Sequence, residues 1–444
     1  MDARLDEPIG RLYRQYNRRP HGGPDDLVRH PEWTGRILDR LGRPEDHFPV
    51  IMVTGSKGKG STAFYIARIL EAHGLRVGFF STPHLVDNLE RLRLGGRAIS
   101  PARFVQLFRQ LEPVLDITER ELPAGHYIGP VGLFAALAAL WYREEGVDAA
   151  VFETGRGARF DDVTEVHHEG AVITSVLLEH RQELGPTLDR VAWHKAGVMR
   201  PETRWAVVVD DARLGSVLAR EADGRDIRLE HAWTLSDVRV TPAGTEFTTR
   251  AGGPAERFRI PALAPFAAEN ARRALVAGHR FLGTRFSMEK ARAGLMAARL
   301  YGRADLLDRQ PPILVDGSIH RSSVRSLLQG LSTARLLRGR IVSIVGVPED
   351  KDWAGVAAQV SPLGDLFFTP AENRRLHFPV DPHRAFPNSR SFPDFVTAYR
   401  AALQKTPDLI LVLGTQSLVA DTARALDLAP TLLDLAAPPT PVPT

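Results

Sequence analysis

The sequence predicts an α/β protein built on parallel sheets, and three observations carry that prediction. Short apolar runs alternate with stretches of helical periodicity over most of the 444 residues. The run 50–53 passes directly into a glycine-rich turn and then an amphipathic stretch, the pattern of strand, loop and helix. Polar clusters follow the apolar runs at 54–62, 81–84, 153–161, 179–184, 316–321 and 346–352. In an open parallel sheet ligands bind beyond the carboxyl ends of the strands, so these clusters are expected to share one cleft.

The expected strands are 50–53, 77–80, 149–152, 171–176, 206–209, 313–315, 341–345, 366–369 and 409–413, each a short run rich in Val, Ile, Leu, Phe or Ala. Helical periodicity marks 104–111, 131–143, 322–331 and 417–426. Residues 228–262 read differently, as short alternating pieces cut by Pro and Gly, a small antiparallel excursion inside the first domain. A boundary is expected at 301–312, where Tyr301-Gly-Arg303 leads into Asp308-Arg-Gln-Pro-Pro312. The domains are then 1–300 and 313–435, with the proline-rich 436–444 expected to be a disordered tail.

Composition narrows the class. Apolar residues make up 43% and charged residues 25%, ordinary for a globular chain. No apolar run reaches membrane-helix length and the start lacks an apolar signal core, so a cytoplasmic protein with no membrane partner is expected. With no cysteine there is neither disulfide nor thiolate metal site. The net charge of +4 comes without a basic run or aromatic–basic interleaving, so no nucleic-acid partner is expected. Of the 57 basic residues only six are lysines, at 57, 59, 195, 290, 351 and 405. Arginine does not replace a compact or titratable amine, so the retained lysines draw attention.

Two of them lie in Thr54-Gly-Ser-Lys-Gly-Lys-Gly-Ser-Thr62, the loop after the first strand. Gly55, Gly58 and Gly60 allow tight turns with exposed N–H groups, and Ser61 opens a helix whose unpaired amides and dipole favour an anion. Ser56 and Lys57 complete the loop, Lys59 would meet β- and γ-phosphates, and Ser61 or Thr62 would stand near Mg²⁺. Val53 occupies the first glycine position of the strict phosphate-loop pattern, so a plain glycine turn is the alternative. Glu153 ends the 149–152 strand, where a carboxylate beside such a loop can bind Mg²⁺ or simply face water. His180 follows the 171–176 strand, as ligand or structural histidine. Lys195 stands late in a helix, where a cation also suits the dipole.

The order of these motifs resembles the folylpolyglutamate synthase branch of the Mur ligase superfamily from about residue 48 to 420. Thr54–Ser61 is similar to its T-G-x-N-G-K-G-S, Phe80–Leu85 to T-S-P-H-L, and Glu153–Asp161 to E-V-G-x-G-G-R-x-D. Leu178–Gly185 is similar to L-D-H-x-x-x-L-G, and Thr187–Gly197 to T-x-x-x-I-A-x-E-K-A-G. Gly302-Arg303 and Asp350-Lys-Asp352 match a G-R pair and a D-K-D run. The resemblance implies a P-loop ATPase domain, a smaller Rossmann-like C-terminal domain, and ATP held between them. It implies phosphorylation of a substrate carboxylate to an acyl phosphate, which an amino acid's amine then attacks. Lys59 would bind the transferred phosphoryl group, Glu153 and His180 would hold Mg²⁺, and Ser61 and Thr82 would supply further oxygens. Lys195 matches a lysine often carbamylated in the superfamily, which makes it a metal ligand. Arg303 would reach the γ-phosphate, Asp316 the ribose, and Asn270 the adenine side.

Departures gather around nucleotide and substrates. The family's D-G-A-H-N-P reads Asp316-Gly-Ser-Ile-His-Arg321, so His320 serves only if the loop shifts by one residue. H-Q-x-x-N-A reads Phe266-Ala-Ala-Glu-Asn-Ala271, Glu179 replaces an aspartate, and His194 a glutamate. Residues 18–26 also differ from the family's usual start. The reading is an ATP- and Mg²⁺-dependent carboxylate–amine ligase adding L-glutamate to a folate, acting on small molecules as a monomer. The alternatives are a ligase of the same mechanism with a non-folate acceptor and a catalytically silent nucleotide-binding protein. A peptidoglycan Mur ligase would need a uridine-nucleotide domain before the first strand, where only about 48 residues stand.

Overall fold

The computed structural model describes residues 2–18, 22–373 and 375–435, and the expected tail at 436–444 lies outside them. The chain divides into two compact units, Met1–Thr234 with Asn270–Leu295, and Leu235–Glu269 with Met296–Thr444.

The first unit holds an eight-stranded sheet. Its strands are β1 (Val50–Thr54), β2 (Val77–Phe80), β3 (Leu92–Leu94), β4 (Arg97–Ala98), β5 (Ala149–Glu153), β6 (Gly170–Ile173), β7 (Trp205–Val208) and β8 (Arg228–His231), in spatial order β4-β3-β2-β5-β1-β6-β7-β8. From β2 to β8 all neighbours are parallel, and only β3 runs against them, pairing antiparallel with both β2 and β4. Every residue of β1 and β5 is buried, as expected of strands covered on both faces by helices. The helix Lys59–Ala72 follows β1 and sinks Phe64, Tyr65, Ile66, Ile69 and Leu70 to at most 2% exposure. Each such burial stabilises the fold by about 1.5–3 kcal/mol. Gly74, at φ +90°, ends that helix in the left-handed conformation that glycine adopts without a Cβ penalty. The helix Pro130–Glu144 is apolar nearly all round, and every residue of its stretch Gly132–Tyr142 is buried.

The second unit carries a three-stranded antiparallel sheet of β9 (Thr234–Thr241), β10 (Gly244–Arg250) and β11 (Glu256–Ile260). Its six-stranded sheet has the order β12-β13-β17-β14-β15-β16, from β12 (Asp305–Leu307), β13 (Ile313–Asp316), β14 (Ile341–Gly346), β15 (Gly364–Phe368), β16 (Arg390–Ser391) and β17 (Leu409–Gly414). All pairs there are parallel except β12 with β13.

Three local differences from the sequence reading have physical causes. The segment 228–262 divides, because β8 pairs in parallel with β7. Val240, Leu263 and Ala264 bury in one core with Leu314, Val324 and Leu327, so the antiparallel strands lie in the second unit. The stretch 301–312 contains β12, held antiparallel on β13 and therefore part of a sheet. Strand β6 stops at Ile173, where Thr174 and Ser175 turn their hydroxyls to the β1 loop. Among the described residues no helix is long and apolar enough to cross a membrane.

Candidate active site

In the first unit the strand order β2-β5-β1-β6 sets four carboxyl ends in a row. Thr82 follows β2, Glu153 ends β5, the glycine loop follows β1, and 174–180 follow β6.

The loop is tied down before any ligand is considered. Ser56 N donates to Ser175 O at 2.8 Å and Lys57 N to Ser175 Oγ at 2.9 Å. Thr174 Oγ1 donates to Lys57 O at 2.6 Å, and Leu177 N to Ser56 Oγ at 2.9 Å. Gly55 sits at φ +145°, and a Cβ there would stand 2.0 Å from Thr174 Oγ1. Gly58, at φ +80°, is the residue before the helix, and a Cβ on it would lie 2.2 Å from Asn270 Oδ1. Asn270 is 8% exposed and so closes directly on the loop. The Lys59 ammonium folds back onto Gly55 O at 3.0 Å. Ser61 and Thr62 are buried in the first helical turn, where Thr62 N makes the first helical bond, to Gly58 O at 2.9 Å, and the amides before it have no carbonyl of the helix to meet. Thr62 Oγ1 is buried without a hydrogen-bond partner.

Glu153 is 7% exposed and accepts a hydrogen bond from Thr82 N at 3.2 Å. A Cβ on Gly60 would come within 3.0 Å of Glu153 Oε2, so the carboxylate is pressed against the first turn of the helix. Arg91 Nη1 donates to Thr82 Oγ1 at 2.7 Å, and its charge faces Glu153 from a nearly buried position. The donors Glu153, Ser61 and Thr82 are hard oxygens, the chemistry that suits Mg²⁺.

Lys195 sits in the last turn of the helix Leu188–Ala196, which Thr187 opens by accepting from Arg190 N at 3.2 Å. Its side chain is 2% exposed and its Nζ lies 3.2 Å from Glu179 Oε1. Burial pushes the amine down to about 8, Glu179 opposes this, and the charges of Lys59 and Lys57 add to it. His194 beside it is buried with Nδ1 unpaired, and burial lowers it to about 4. His180 adopts φ +48° before the short helix Arg181–Leu184 and is partly exposed, with Nδ1 3.9 Å from Glu183 Oε2.

A charge network that sequence reading did not find braces this region. Arg29 reaches Asp161 at 3.2 Å and Asp162 at 3.1 Å, and both carboxylates are buried. Arg156 holds Asp25 at 2.6 Å and Glu183 at 2.7 Å, and Arg190 pairs with Asp26. These pairs join 25–29 to the Glu153–Asp161 segment and to the turn after His180. Sequence spacing carries no signal for partners some 130 residues apart.

The second unit carries the other expected nucleotide residues. Asp316 ends β13, is 3% exposed, and accepts hydrogen bonds from Ala304 N at 2.7 Å and Ser318 Oγ. Burial raises its carboxyl, while Ser318 and the Arg303 charge pull it down. The Arg303 guanidinium would meet a Cβ on Gly317 at 2.5 Å, so Gly317 leaves it room beside Asp316. His320 caps the helix Arg321–Thr333, accepting from Ser322 N at 3.3 Å, with Nε2 3.7 Å from Asp352 Oδ2. Ile319, at the family's histidine position, packs on the core. Asp352 is bound by Arg321 through Nε at 2.8 Å and Nη2 at 2.7 Å, which holds its carboxyl well below the usual range.

No family model matches the chain. It is 29% identical over 398 residues to a dihydrofolate synthase/folylpolyglutamate synthase of Escherichia coli (strain K12), covering 88% of this chain and 90% of that one. Its fold matches a bifunctional folylpolyglutamate synthase/dihydrofolate synthase from Yersinia pestis, complexed with AMPPNP and a Mn ion, with a TM-score of 0.78 and 27% identity over 95% and 98% of the two chains. A Mycobacterium tuberculosis folylpolyglutamate synthase, complexed with ADP and AMPPCP, shares the fold with a TM-score of 0.81 at 23% identity, over 90% of this chain and 96% of that one. The resemblance read from motif order thus extends over most of the chain, in sequence and in fold.

Proposed function

We propose, from this homology to folylpolyglutamate synthases, that the protein is an ATP-dependent ligase adding L-glutamate to a folate carboxylate. The observation that carries the reading is the row of strand ends that brings Thr82, Glu153, the glycine loop and the Glu179–Lys195 pair to one edge of one sheet. A phosphate-binding loop alone would serve many proteins. A buried carboxylate against its first turn and a buried lysine of lowered basicity suit a phosphoryl-transfer centre.

The roles follow from chemistry. The free amides at the start of Lys59–Ala72 receive the phosphate oxygens, and the Lys59 ammonium leaves Gly55 O for the phosphoryl group in transfer. Glu153, His180, Ser61 and Thr82 would hold Mg²⁺, with Arg91 fixing the Thr82 hydroxyl. Bound there, Mg²⁺ neutralises charge on the phosphates. Asn270 lines the loop, Arg303 serves the γ-phosphate, Asp316 the ribose and His320 the nucleotide. Lys195, at about 8, keeps roughly a tenth of its amine neutral at pH 7, against about 0.03% for an ordinary lysine near 10.5. A neutral amine can add CO₂ and release one proton, and the resulting carbamate would offer the metal a further oxygen. The folate carboxylate takes the γ-phosphoryl group, ADP departs, and the glutamate amine displaces phosphate to form the amide. The same reading has the protein act as a monomer in the cytoplasm on small molecules.

The test is ADP release with Mg²⁺ATP, L-glutamate and a reduced folate, with mass spectrometry of the product. A folate gaining glutamyl residues is expected, with turnover falling about 10²–10⁴-fold in Lys59→Ala while its melting is unchanged. ADP release that does not depend on a folate, with no glutamylated product, would overturn the assignment.

A further inference from the structure

Among the described residues, two groups of three side chains lie close enough to share a metal ion away from the loop, and only one converges. In His30, Glu32 and His126 the imidazoles are stacked 3.5 Å apart at 10°, and His126 Nδ1 already accepts from Trp33 Nε1 at 3.0 Å. The in-plane lone pairs of stacked rings run side by side and do not meet at one ion.

The other group is Glu45, Asp46 and His167, which each offer a ligand atom within 4.8 Å of the other two. Glu45 stands in the turn Pro44–His47 that feeds β1, and His167 precedes β6, the strand paired with β1. The cluster therefore marks the amino ends of two neighbouring strands whose carboxyl ends carry the glycine loop. His167 Nδ1 lies 2.7 Å from Asp46 Oδ1. The next residue, His168, is fixed between Val166 O at 2.8 Å and Val198 O at 2.7 Å, so the turn is anchored.

The Glu45 carboxylate points to a ligand. Its side chain is fully buried, Arg43 Nη1 holds Oε1 at 3.1 Å, and Oε2 is buried with no hydrogen-bond partner. An ionised oxygen left so is costly unless a cation or donor meets it. Arg43 is shared with Asp39 at 2.6 Å, so one guanidinium holds both Asp39 and Glu45, while Asp46 turns to His167. Asp46 and His167 are 49% and 43% exposed, which leaves an open path for an ion and its waters.

We propose that Glu45, Asp46 and His167 bind a divalent transition-metal cation of the zinc type. One nitrogen and two oxygens suit Zn²⁺, whose bonds of about 2.0–2.2 Å hold ligand atoms roughly 3–4 Å apart. The present limit of 4.8 Å lies about 1 Å outside that range, and the 2.7 Å pair of His167 Nδ1 and Asp46 Oδ1 must open for the ion to enter between them. The ion ties the β1 turn to the β6 turn and gives the buried Glu45 carboxylate a second cation beside Arg43. It is a structural site, distinct from the Mg²⁺ donors at the other end of these strands.

The experiment is calorimetric titration of the tag-free, EDTA-stripped full chain with Zn²⁺, without nucleotide, beside melting curves. The wild type is expected to bind one more equivalent than Asp46→Asn or His167→Ala, and to melt roughly 5 °C higher at a hundredfold excess of Zn²⁺ over Kd. Both substitutions are at exposed side chains, and both variants should melt with the wild type in EDTA. Equal zinc uptake and an equal zinc-induced shift in all three proteins would overturn the proposal.

Discussion

Replacing Lys195 with methionine should make the protein more stable and inactive. The side chain is 2% exposed, and burial brings its amine from the ordinary 10.5 to about 8 even with Glu179 at 3.2 Å. At 1.36 kcal/mol per pH unit, the gap between 10.5 and about 8 corresponds to about 3 kcal/mol against the charged form in the fold. The folded value lies below the unfolded one, so between pH 8 and 10.5 the unfolded chain binds more protons and stability rises with pH. The cost is fully present below pH 8 and gone above 10.5. Methionine has similar volume and no charge, and Glu179 is exposed enough to return to water. A gain of about 2–4 kcal/mol is expected at pH 7, which raises the melting temperature of the first unit by roughly 4–7 °C. The assay is melting of both proteins in bicarbonate-free buffer, without nucleotide, at pH 6 to 10.5. The difference should be largest at and below pH 7 and shrink through the interval from 8 upward. A variant that melts at or below the wild type at pH 7, or a difference that ignores pH, would refute this reasoning.

Two further substitutions test the frame of the site. Gly55→Ala places a Cβ 2.0 Å from Thr174 Oγ1 at φ +145°, so ADP binding measured by calorimetry should be lost and the fold weakened by about 2–4 kcal/mol in urea. Arg29→Ala leaves the buried carboxylates of Asp161 and Asp162 without their guanidinium and should cost about 3–5 kcal/mol at pH 7, read from the same urea midpoints.

The parallel sheets were legible because each buried strand is a short apolar run, and the loop because its glycines and lysines fall between one such run and a helix. The end of β6 was misread for a specific reason. Val176 extends the apolar pattern, so Thr174 and Ser175 read as strand when their hydroxyls in fact bind the loop. The ownership of β9–β11 was not legible either, because it depends on Val240 and Leu263 meeting a helix some 60–90 residues later. His320 shows a third limit. The sequence marks a histidine one place from its expected position, and only the backbone shows it capping a helix while Ile319 turns to the core.

The belt between Ser56, Lys57, Thr174 and Ser175 has a consequence for affinity. Two loop amides are already committed to Ser175, so the donors left for a phosphate are those at the start of the helix. The loop gives up its conformational freedom when the sheet forms, and an arriving nucleotide need not order it. Binding strength is in that sense set during folding, by two hydroxyl residues on a neighbouring strand end.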